Sequence, residues 1–312
     1  MATFADILEG PALRIAQELY KKPTEIQSSV IPLILAGRDV VARSKTGSGK
    51  SASFLLPIIQ KLGEHSKVVG VRTLILAASR ELALQIMRWA ERYSKYTDLK
   101  TVAIIGGEAI QHQFADLTTN PDIIVATPGR LLEVVIETGL SFEKLRYVVF
   151  DEADFLFDPA KDLKQNITLI MNYIPEDAQK LLFSASMPQM LADFATVHLK
   201  NAAKIIIDMT TIPDNLNLSF LYVVPSFKPA LLASLIRDRE STLVFVGTRH
   251  VAEFLVDLLE DIDISCRAVY GDMDQDERVS NLAAFSRGDL SALIVSDVAS
   301  RGIDIEGLNM VV

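Results

Sequence analysis

The segment "ARSKTGSGKS", residues 42–51, restricts the possible folds of this chain more than any other stretch. It matches the pattern G-x-x-x-x-G-K-S/T, except that Ser44 occupies the first glycine position. The β-branched pair Val40–Val41 precedes it, and an apolar stretch typical of a helix, residues 53–62, follows it. A strand, a glycine-rich loop and a helix in this order form a phosphate-binding unit. The alternative is a glycine-serine turn that happens to precede a helix.

Each residue type in this loop has a physical reason to be there. Gly47 and Gly49 can adopt backbone angles that a side chain would forbid. Their N–H groups and the helix N-terminus would then converge on phosphate oxygens. Lys50 would place a positive charge at the β- and γ-phosphates, and the Ser51 hydroxyl would hold Mg²⁺.

A second motif, "RYVVFDEAD" at residues 146–154, carries a cluster of carboxylates. Its apolar half, Tyr147–Phe150, predicts a buried parallel strand. Carboxylates follow at the carboxyl end of that strand, where open α/β sheets bind their ligands. Asp151 is suited to hold Mg²⁺, and Glu152 is suited to orient or deprotonate an attacking water. An acidic strand end in a solvated loop is the alternative, which the phosphate loop upstream disfavours.

The bulk composition describes a soluble globular protein. The chain has 312 residues, of which 49% are hydrophobic and 23% charged, and this size suggests two domains. No apolar run has the length of a membrane span, so we expect no membrane contact. The single cysteine, Cys266, excludes an internal disulfide and fits a reducing compartment. The net charge of −9 argues against a general polyanion binder but allows a locally positive groove.

Outside the two motifs, β-branched runs alternate with helical stretches. Such alternation predicts a parallel sheet with helices on both faces. Residues 209–216 interrupt the alternation and predict a linker, so we expect domains at 1–208 and 217–312. The other predicted strands are residues 72–78, 101–107, 122–127, 180–184 and 204–208 in the first domain, and 220–224, 242–246, 267–270 and 292–296 in the second.

The strings "TGSGKS" at 46–51 and "DEAD" at 151–154 resemble those of the DEAD-box RNA helicases, and the resemblance extends from Phe4 to Val312. It implies an α/β fold of two tandem RecA-like parallel-sheet domains, the second incomplete. It also implies ATP and Mg²⁺ as cofactors. It implies RNA as the partner: the protein would contact the RNA backbone and use ATP to separate short duplexes.

The segment "YKKPTEIQ", residues 20–27, resembles the family's Q motif, in which Gln27 would read the adenine edge with its amide donor and acceptor. Tyr20 stands where the family usually has phenylalanine. Without the resemblance, a polar helix start with a packing aromatic explains the segment equally well. The resemblance implies that the nucleotide is bound by Tyr20, Lys22, Gln27, Thr46, Gly47, Ser48, Gly49, Lys50, Ser51, Gly302 and Asp304. It implies Lys50, Asp151 and Glu152 as catalytic residues, with Ser51 and Asp151 on the metal.

Three loops after predicted strands resemble RNA-contacting motifs: "ASRELA" at 78–83, Gly106–Gly107 and "TPGR" at 127–130. Taken singly, each is equally well explained as a helix cap or a turn. Their expected location on one face favours RNA phosphate contacts. With the second domain included, the resemblance implies RNA contacts from Arg80, Gly107, Thr127, Gly129, Arg130, Thr248, Arg278, Ser296 and Asp297.

The triplet "SAS" at 184–186 resembles the family's S-A-T, with Ser186 in place of threonine. The resemblance implies that Ser184, Ser186 and Asp154 couple the ATP state to strand separation. Because the hydroxyl is retained, we expect the link between Ser186 and Asp154 to be retained as well.

The sequence ends at "LNMVV", before the H-R-x-G-R-x-x-R motif that supplies arginine fingers in the family. Arginine fingers contribute about 10³–10⁵ in rate, so we expect the chain as written to bind ATP and to hydrolyse it poorly. One alternative function is a catalytically silent, ATP-dependent RNA clamp. The other is a P-loop ATPase that acts on DNA or protein.

Stretches of sequence that extend beyond the motifs, such as "NPDIIVATPGRLLEV" and "LVFVGTRHVAEFLVDLL", most resemble the nucleolar members that act in large ribosomal subunit maturation. This resemblance implies pre-ribosomal RNA as the substrate, pre-ribosome proteins as partners and a location in the nucleus and nucleolus. We expect the chain to be a monomer.

Overall fold

The computed structural model describes residues 2–107, 109–159, 163–207, 216–237, 241–296, 305 and 308–312. The chain divides into two compact units, Met1–Thr211 and Ile212–Val312. The point of division lies within the predicted linker, of which residues 209–215 lie outside the described ranges. The domain boundaries proposed from the sequence therefore stay a prediction.

The N-terminal unit is built on one parallel sheet. Its seven strands lie in the order β3-β4-β2-β5-β6-β1-β7, and every pairing is parallel. The strands are β1 Val40–Arg43, β2 Thr73–Leu76, β3 Thr101–Ile104, β4 Ile123–Ala126, β5 Tyr147–Phe150, β6 Gln179–Ser184 and β7 Ala203–Ile206.

Helices cover both faces of this sheet. The helices are α1 Gly10–Leu19, α2 Glu25–Leu35, α3 Lys50–Leu62, α4 Arg80–Tyr93, α5 Ile110–Leu117, α6 Pro128–Thr138, α7 Ala153–Leu156, α8 Leu163–Met171 and α9 Gln189–His198, with a short 3-10 helix at Phe4–Asp6. Alternate strand residues enter opposite cores: Val40 packs with α1–α4, and its neighbour Val41 packs with α6–α9. Strands buried on both faces explain the continuous apolar runs in the sequence.

The local sequence explains how the first two site-bearing helices begin. The Thr24 hydroxyl accepts from Gln27 N, and the Gln27 side chain accepts from Thr24 N, which makes a capping box at the start of α2. Gly49 caps α3 with φ of 92°, a left-handed conformation that glycine adopts readily. As a result α3 begins at Lys50, earlier than the apolar pattern alone predicts.

The C-terminal unit contains a four-stranded parallel sheet in the order β11-β8-β10-β9. Its α/β pattern confirms the predicted fold class. The strands are β8 Thr242–Val246, β9 Cys266–Val269, β10 Ala292–Ser296 and β11 Met310–Val311, and the helices are α10 Lys228–Arg237, α11 Arg249–Glu260 and α12 Gln275–Ser286, with a 3-10 helix at Pro225–Phe227.

The strand predicted at residues 220–224 is wrong. This segment has no regular structure, and Phe220 and Tyr222 are 88% and 100% exposed. No described strand lies beside it to complete a hydrogen-bond ladder. Strand formation depends on a neighbouring strand as much as on residue type, so the apolar pattern alone was insufficient. Within the described ranges, no helix combines the length and the apolar character that a membrane crossing requires.

Candidate functional site

Strand order sorts the predicted motifs into two adjacent groups at the carboxyl edge of the N-terminal sheet. Strands β5, β6 and β1 are neighbours, so the DEAD, SAS and phosphate-loop segments that follow them lie side by side. Strands β3, β4 and β2 are also neighbours, and the paired glycines, "TPGR" and "ASRELA" follow these. One edge of one sheet thus carries a loop group suited to a nucleotide beside a loop group suited to RNA.

The phosphate loop folds around its own lysine. Lys50 is buried, and its Nζ donates to the carbonyl oxygens of Ser44 at 2.8 Å and Lys45 at 3.1 Å. Burial lowers the pKa of Lys50, while the charges of Asp151 and Glu152 oppose this shift. Phosphate oxygens that bind here must therefore replace two carbonyl oxygens as acceptors for the ammonium group.

A hydroxyl contact adds to this arrangement. Ser44 is fully buried, and its Oγ lies 2.8 Å from the Oγ of Ser48. The contact spans the loop from its first position to the residue before Gly49. It is a direct consequence of serine at the position where the phosphate-loop pattern has glycine.

We expect Ser44→Ala to tighten ATP binding, because the variant loses a hydrogen bond that holds the loop on itself. A net hydrogen bond is worth about 0.5–1.5 kcal/mol, which corresponds to roughly two- to tenfold in the dissociation constant. Titration with a fluorescent ATP analogue measures this. Ser48→Ala removes the same bond and should shift affinity in the same direction. Weaker binding by both variants would show that these hydroxyls hold the nucleotide.

Gln27 connects the Q-motif segment to the phosphate loop. Its Oε1 accepts from Thr24 N at 2.9 Å, and its Nε2 donates to the Gly49 carbonyl at 3.3 Å. A Cβ atom on Gly49 would lie 2.5 Å from that Nε2, so only glycine permits this approach. The predicted adenine contact of Gln27 stays a prediction, for which the amide retains one N–H on Nε2 and one lone pair on Oε1.

Tyr20 lies on an aromatic cluster. Its hydroxyl is 2.5 Å from the Tyr93 hydroxyl, and its ring centroid is 6.1 Å from that of buried Phe4. Burial raises the pKa of Tyr93 far above its usual value. Lys22, by contrast, is exposed. The tyrosine hydroxyl thus has a structural partner that a phenylalanine at position 20 would leave unpaired.

The DEAD segment places one carboxylate in the protein interior. Asp151 is 3% exposed, and burial raises its pKa to about 6 although Lys50 opposes the shift. Its Oδ1 accepts from Glu152 N at 3.0 Å. Glu152 has φ of 46°, a left-handed conformation that is uncommon for a residue with a side chain and is often found at functional sites. This left-handed residue lies between the end of β5 and the start of α7.

Asp154 and the SAS triplet are in direct contact. The Oδ2 of Asp154 accepts from the backbone N of Ser186 at 2.9 Å and from its hydroxyl at 2.8 Å. The Ser184 hydroxyl donates to the Ser186 carbonyl at 2.6 Å and accepts from Asp154 N at 3.2 Å. The serine at position 186 therefore makes the bond expected of its hydroxyl.

The donor set fits a metal bound together with a nucleotide. Among the residues described, no group of three or more His, Cys, Asp or Glu side chains could hold a metal ion. Mg²⁺ in phosphate-transfer sites takes one or two protein oxygens and completes its shell with phosphate and water. The buried Asp151 and the Ser51 hydroxyl at the start of α3 suit that arrangement.

In the second loop group, Arg80 lies against the paired glycines. A Cβ atom on Gly107 would lie 1.9 Å from Arg80 Nη1, and Gly107 has φ of 90°. Thr127 caps α6, and its N donates to the Ile104 carbonyl at 3.0 Å. Thr127 is thereby attached to the strand that leads into the glycines.

The remaining residues of "TPGR" lie in the first turn of α6. A Cβ atom on Gly129 would lie 3.6 Å from Asn166 Nδ2 of α8, and Arg130 pairs with Glu133 at 2.9 Å. The structure therefore brings Arg80, Gly107, Thr127, Gly129 and Arg130 to neighbouring strand ends.

Three predicted residues of the C-terminal unit fall on described elements. Thr248 caps α11 and accepts from Val251 N at 3.3 Å, Arg278 is a largely buried residue of α12, and Ser296 ends β10. Asp297, Gly302 and Asp304 lie outside the described residues. The predicted roles of all six stay predictions.

Comparison with known families decides the identity of the chain. The DEAD/DEAH box helicase family matches residues 24–194, more than half of the chain, and the helicase conserved C-terminal domain matches residues 227–312. The chain belongs to the DEAD/DEAH box helicase family. The resemblance inferred from the sequence motifs is thereby confirmed.

Curated relatives of this DEAD-box chain are considerably longer than it is. The mouse ATP-dependent RNA helicase DDX54 is 44% identical over 303 residues, which cover 96% of this chain and 34% of the mouse protein. The ATP-dependent RNA helicase DBP10 of Debaryomyces hansenii is 37% identical, with 96% of this chain and 38% of the yeast protein covered. The chain thus spans about a third of the length of these relatives.

Solved structures of DEAD-box proteins have the same fold. S. cerevisiae Dbp5 bound to RNA and ADP BeF3 matches with a TM-score of 0.84 and 26% identity, covering 100% of this chain and 80% of Dbp5. A DEAD box protein from Methanococcus jannaschii matches with a TM-score of 0.60 and 33% identity, covering 97% and 82%. These matches confirm that both domains are RecA-like.

Sequence reasoning missed several polar residues that the structure connects to this DEAD-box site. Gln113 is fully buried beside the paired glycines, and Asn166 lies beside Gly129. Neither belongs to a string with a known mechanism, so a motif search passes over them. Gln113 carried one usable signal, since it is a polar residue on the apolar side of an amphipathic helix.

Proposed function

We propose that the chain is the core of an ATP-dependent RNA helicase that binds RNA and remodels short duplexes or RNA-protein complexes. The observation that supports this most strongly is the strand order β3-β4-β2-β5-β6-β1 in the N-terminal sheet. It brings the motifs proposed for the nucleotide to one set of adjacent strand ends and the motifs proposed for RNA to the next set.

In this proposal, chain residues perform three tasks at the nucleotide. Lys50 binds the β- and γ-phosphates after it leaves the Ser44 and Lys45 carbonyls. Asp151 and Ser51 would hold Mg²⁺, which would supply positive charge to the phosphate oxygens. Glu152 orients the attacking water and accepts its proton.

RNA is proposed to bind through its phosphates and sugars. Arg80 supplies positive charge, and its guanidinium occupies the space that the missing side chain of Gly107 leaves. The N-terminus of α6 at "TPGR" supplies N–H groups and a positive dipole end. Contacts of this kind carry no base information, so binding should depend little on sequence.

We further propose pre-ribosomal RNA as the substrate, pre-ribosome proteins as partners and the nucleolus as the location, with the chain itself a monomer. The support is the similarity to the DDX54 and DBP10 helicases, together with the resemblance of the sequence outside the motifs to the nucleolar members.

The proposal predicts that labelled single-stranded RNA binds in the presence of Mg²⁺ and a non-hydrolysable ATP analogue, and that Arg80→Ala weakens this binding by about 10- to 150-fold. The reason is that a charge-assisted phosphate contact is worth about 1.5–3 kcal/mol. Fluorescence anisotropy measures both affinities. Arg88→Ala, which removes an exposed arginine from the same helix, is the matched control and should leave the affinity unchanged.

DNA of the same sequence provides the second comparison. A contact to the 2′-hydroxyl distinguishes RNA from DNA, so DNA should compete poorly. Equal competition by DNA, or RNA affinity that is independent of the ATP analogue, would contradict the helicase proposal and favour a P-loop ATPase of another class.

A further inference from the structure

Gln113 makes an unusual contact across the loop that carries the paired glycines. It lies on α5, is 0% exposed, and donates from Nε2 to the Ile105 carbonyl at 2.6 Å. The side chain thus returns from α5 to the residue immediately before Gly106. The contact fixes the main chain at the point where β3 passes into the glycine loop.

The other end of the same amide has no partner among the described residues. Gln113 Oε1 is buried and accepts no hydrogen bond from any described residue. A buried, unpaired carbonyl oxygen destabilises a protein, and an apolar side chain of similar length would avoid that cost. The bond to the Ile105 carbonyl is therefore what distinguishes Gln113 from an apolar residue of similar length.

The Ile105 carbonyl lies among the candidate RNA loops. The preceding carbonyl, of Ile104, accepts from Thr127 N at 3.0 Å. Two residues after Ile105, Gly107 makes room for the guanidinium of Arg80, which a Cβ atom at that position would displace. This short stretch of main chain therefore contacts both Thr127 and the Arg80 guanidinium.

We propose that Gln113 is a positioning residue for RNA binding: by holding the Ile105 carbonyl it sets the backbone of Gly106–Gly107 against which the Arg80 guanidinium is placed. The inference rests on the proposed function, because it assumes that Arg80 contacts RNA phosphate. It adds a residue outside the recognised motifs that acts through Arg80 and does not touch RNA itself.

The test is Gln113→Met, which keeps the length of the side chain and removes both the amide donor and the unpaired oxygen. We expect a melting temperature close to that of the unmodified chain, because removal of the unpaired oxygen offsets loss of the bond to the Ile105 carbonyl. Affinity for the ATP analogue should be unchanged, and single-stranded RNA should bind about tenfold more weakly, since one phosphate contact is lost. The slope of log affinity against log salt should also fall by about 0.7, the value for one phosphate contact on a single strand.

Two further variants serve as checks, and Gln113→Leu carries the same expectations as Gln113→Met. Gln111→Met makes the same change at an exposed position of α5 and should bind RNA normally.

Arg80→Ala, and the double variant that combines it with Gln113→Met, test the RNA contact of Arg80 separately from the positioning role of Gln113. If Gln113 acts through Arg80, the double variant binds RNA no more weakly than Arg80→Ala alone, because effects on one shared contact do not add. If Arg80→Ala loses RNA affinity and Gln113→Met does not, the positioning role is overturned and the proposed RNA contact of Arg80 stands. Normal affinity in Arg80→Ala overturns the proposed RNA contact itself. Additive losses in the double variant also overturn the route through Arg80.

Discussion

Glu152→Gln is expected to lower the RNA-stimulated ATP turnover of this chain, which is itself expected to be slow, by about 10²–10⁴-fold, the usual contribution of a general acid or base. Glutamine keeps the size of the side chain and its hydrogen-bonding capacity, but it cannot accept a proton from the attacking water. ATP affinity should stay unchanged, because Lys50 and the phosphate loop are intact. The measurement is phosphate release at saturating ATP and single-stranded RNA, with the unmodified chain alongside.

Two controls define what this result means. Glu143→Gln makes the same chemical change at an exposed glutamate and should leave turnover unchanged. Lys50→Ala should instead remove ATP binding, since it deletes the charge that the loop presents to the phosphates. Equal turnover by Glu152→Gln and the unmodified chain would contradict the assignment of Glu152 as the base.

Asp122→Ala is expected to have the largest effect on stability, a loss of about 3–5 kcal/mol in the free energy of unfolding of the N-terminal domain. The size of the loss follows from what the variant leaves behind, a buried guanidinium without its counter-charge. Urea denaturation followed by circular dichroism measures the change.

The contacts of Asp122 explain this expectation. Asp122 is 1% exposed, and its Oδ1 accepts from Arg72 Nε at 3.0 Å and Arg72 Nη2 at 2.6 Å. Its Oδ2 lies 2.8 Å from His65 Nδ1 and accepts from Lys100 N at 3.0 Å. Arg72 itself is 8% exposed. This cluster connects the segment before β2 to the amino end of β4, opposite to the edge that carries the site.

The ionised carboxylate of Asp122 makes the stability of the protein depend on pH in a definite direction. Burial, the largest single influence, opposes ionisation of Asp122, but the bonds from Lys100 N, His65, Arg72 and Ser66 N together outweigh it and lower its pKa from the usual value. Stability from a carboxylate with a lowered pKa is fully present above its unfolded value and is lost as the pH falls through the folded value. Unmodified protein should therefore lose stability on acidification below about pH 4, and Asp122→Ala should lose less over that range.

Breaking an exposed ion pair provides the contrast. Glu18 and Lys95 form a pair 2.6 Å apart whose side chains are 40% and 51% exposed. Because water screens such pairs, Glu18→Gln should cost less than about 1 kcal/mol. A loss in Asp122→Ala as small as this would show that the Arg72 charge finds another partner or reaches water.

The fold and the position of the main motifs followed from local patterns. The two strands that carry the phosphate loop and the DEAD segment, with residues 40–43 and 147–150, have the apolar runs of a two-sided parallel sheet, and both form as predicted. The run at residues 220–224 has the same local character and forms no strand. The difference is the neighbouring strand, which residue type alone does not specify.

What the sequence by itself determined is the chemistry of each motif: glycines where the backbone must turn, a lysine and a serine at the start of α3, and carboxylates at the end of β5. Only the tertiary structure decided which motifs lie together, because the order of strands in a sheet is set by packing between distant segments. It also decided the contacts of Gln113 and Asp122, whose partners are buried groups brought to them by the fold. A hydrogen bond depends on distance and direction, which a linear pattern does not contain.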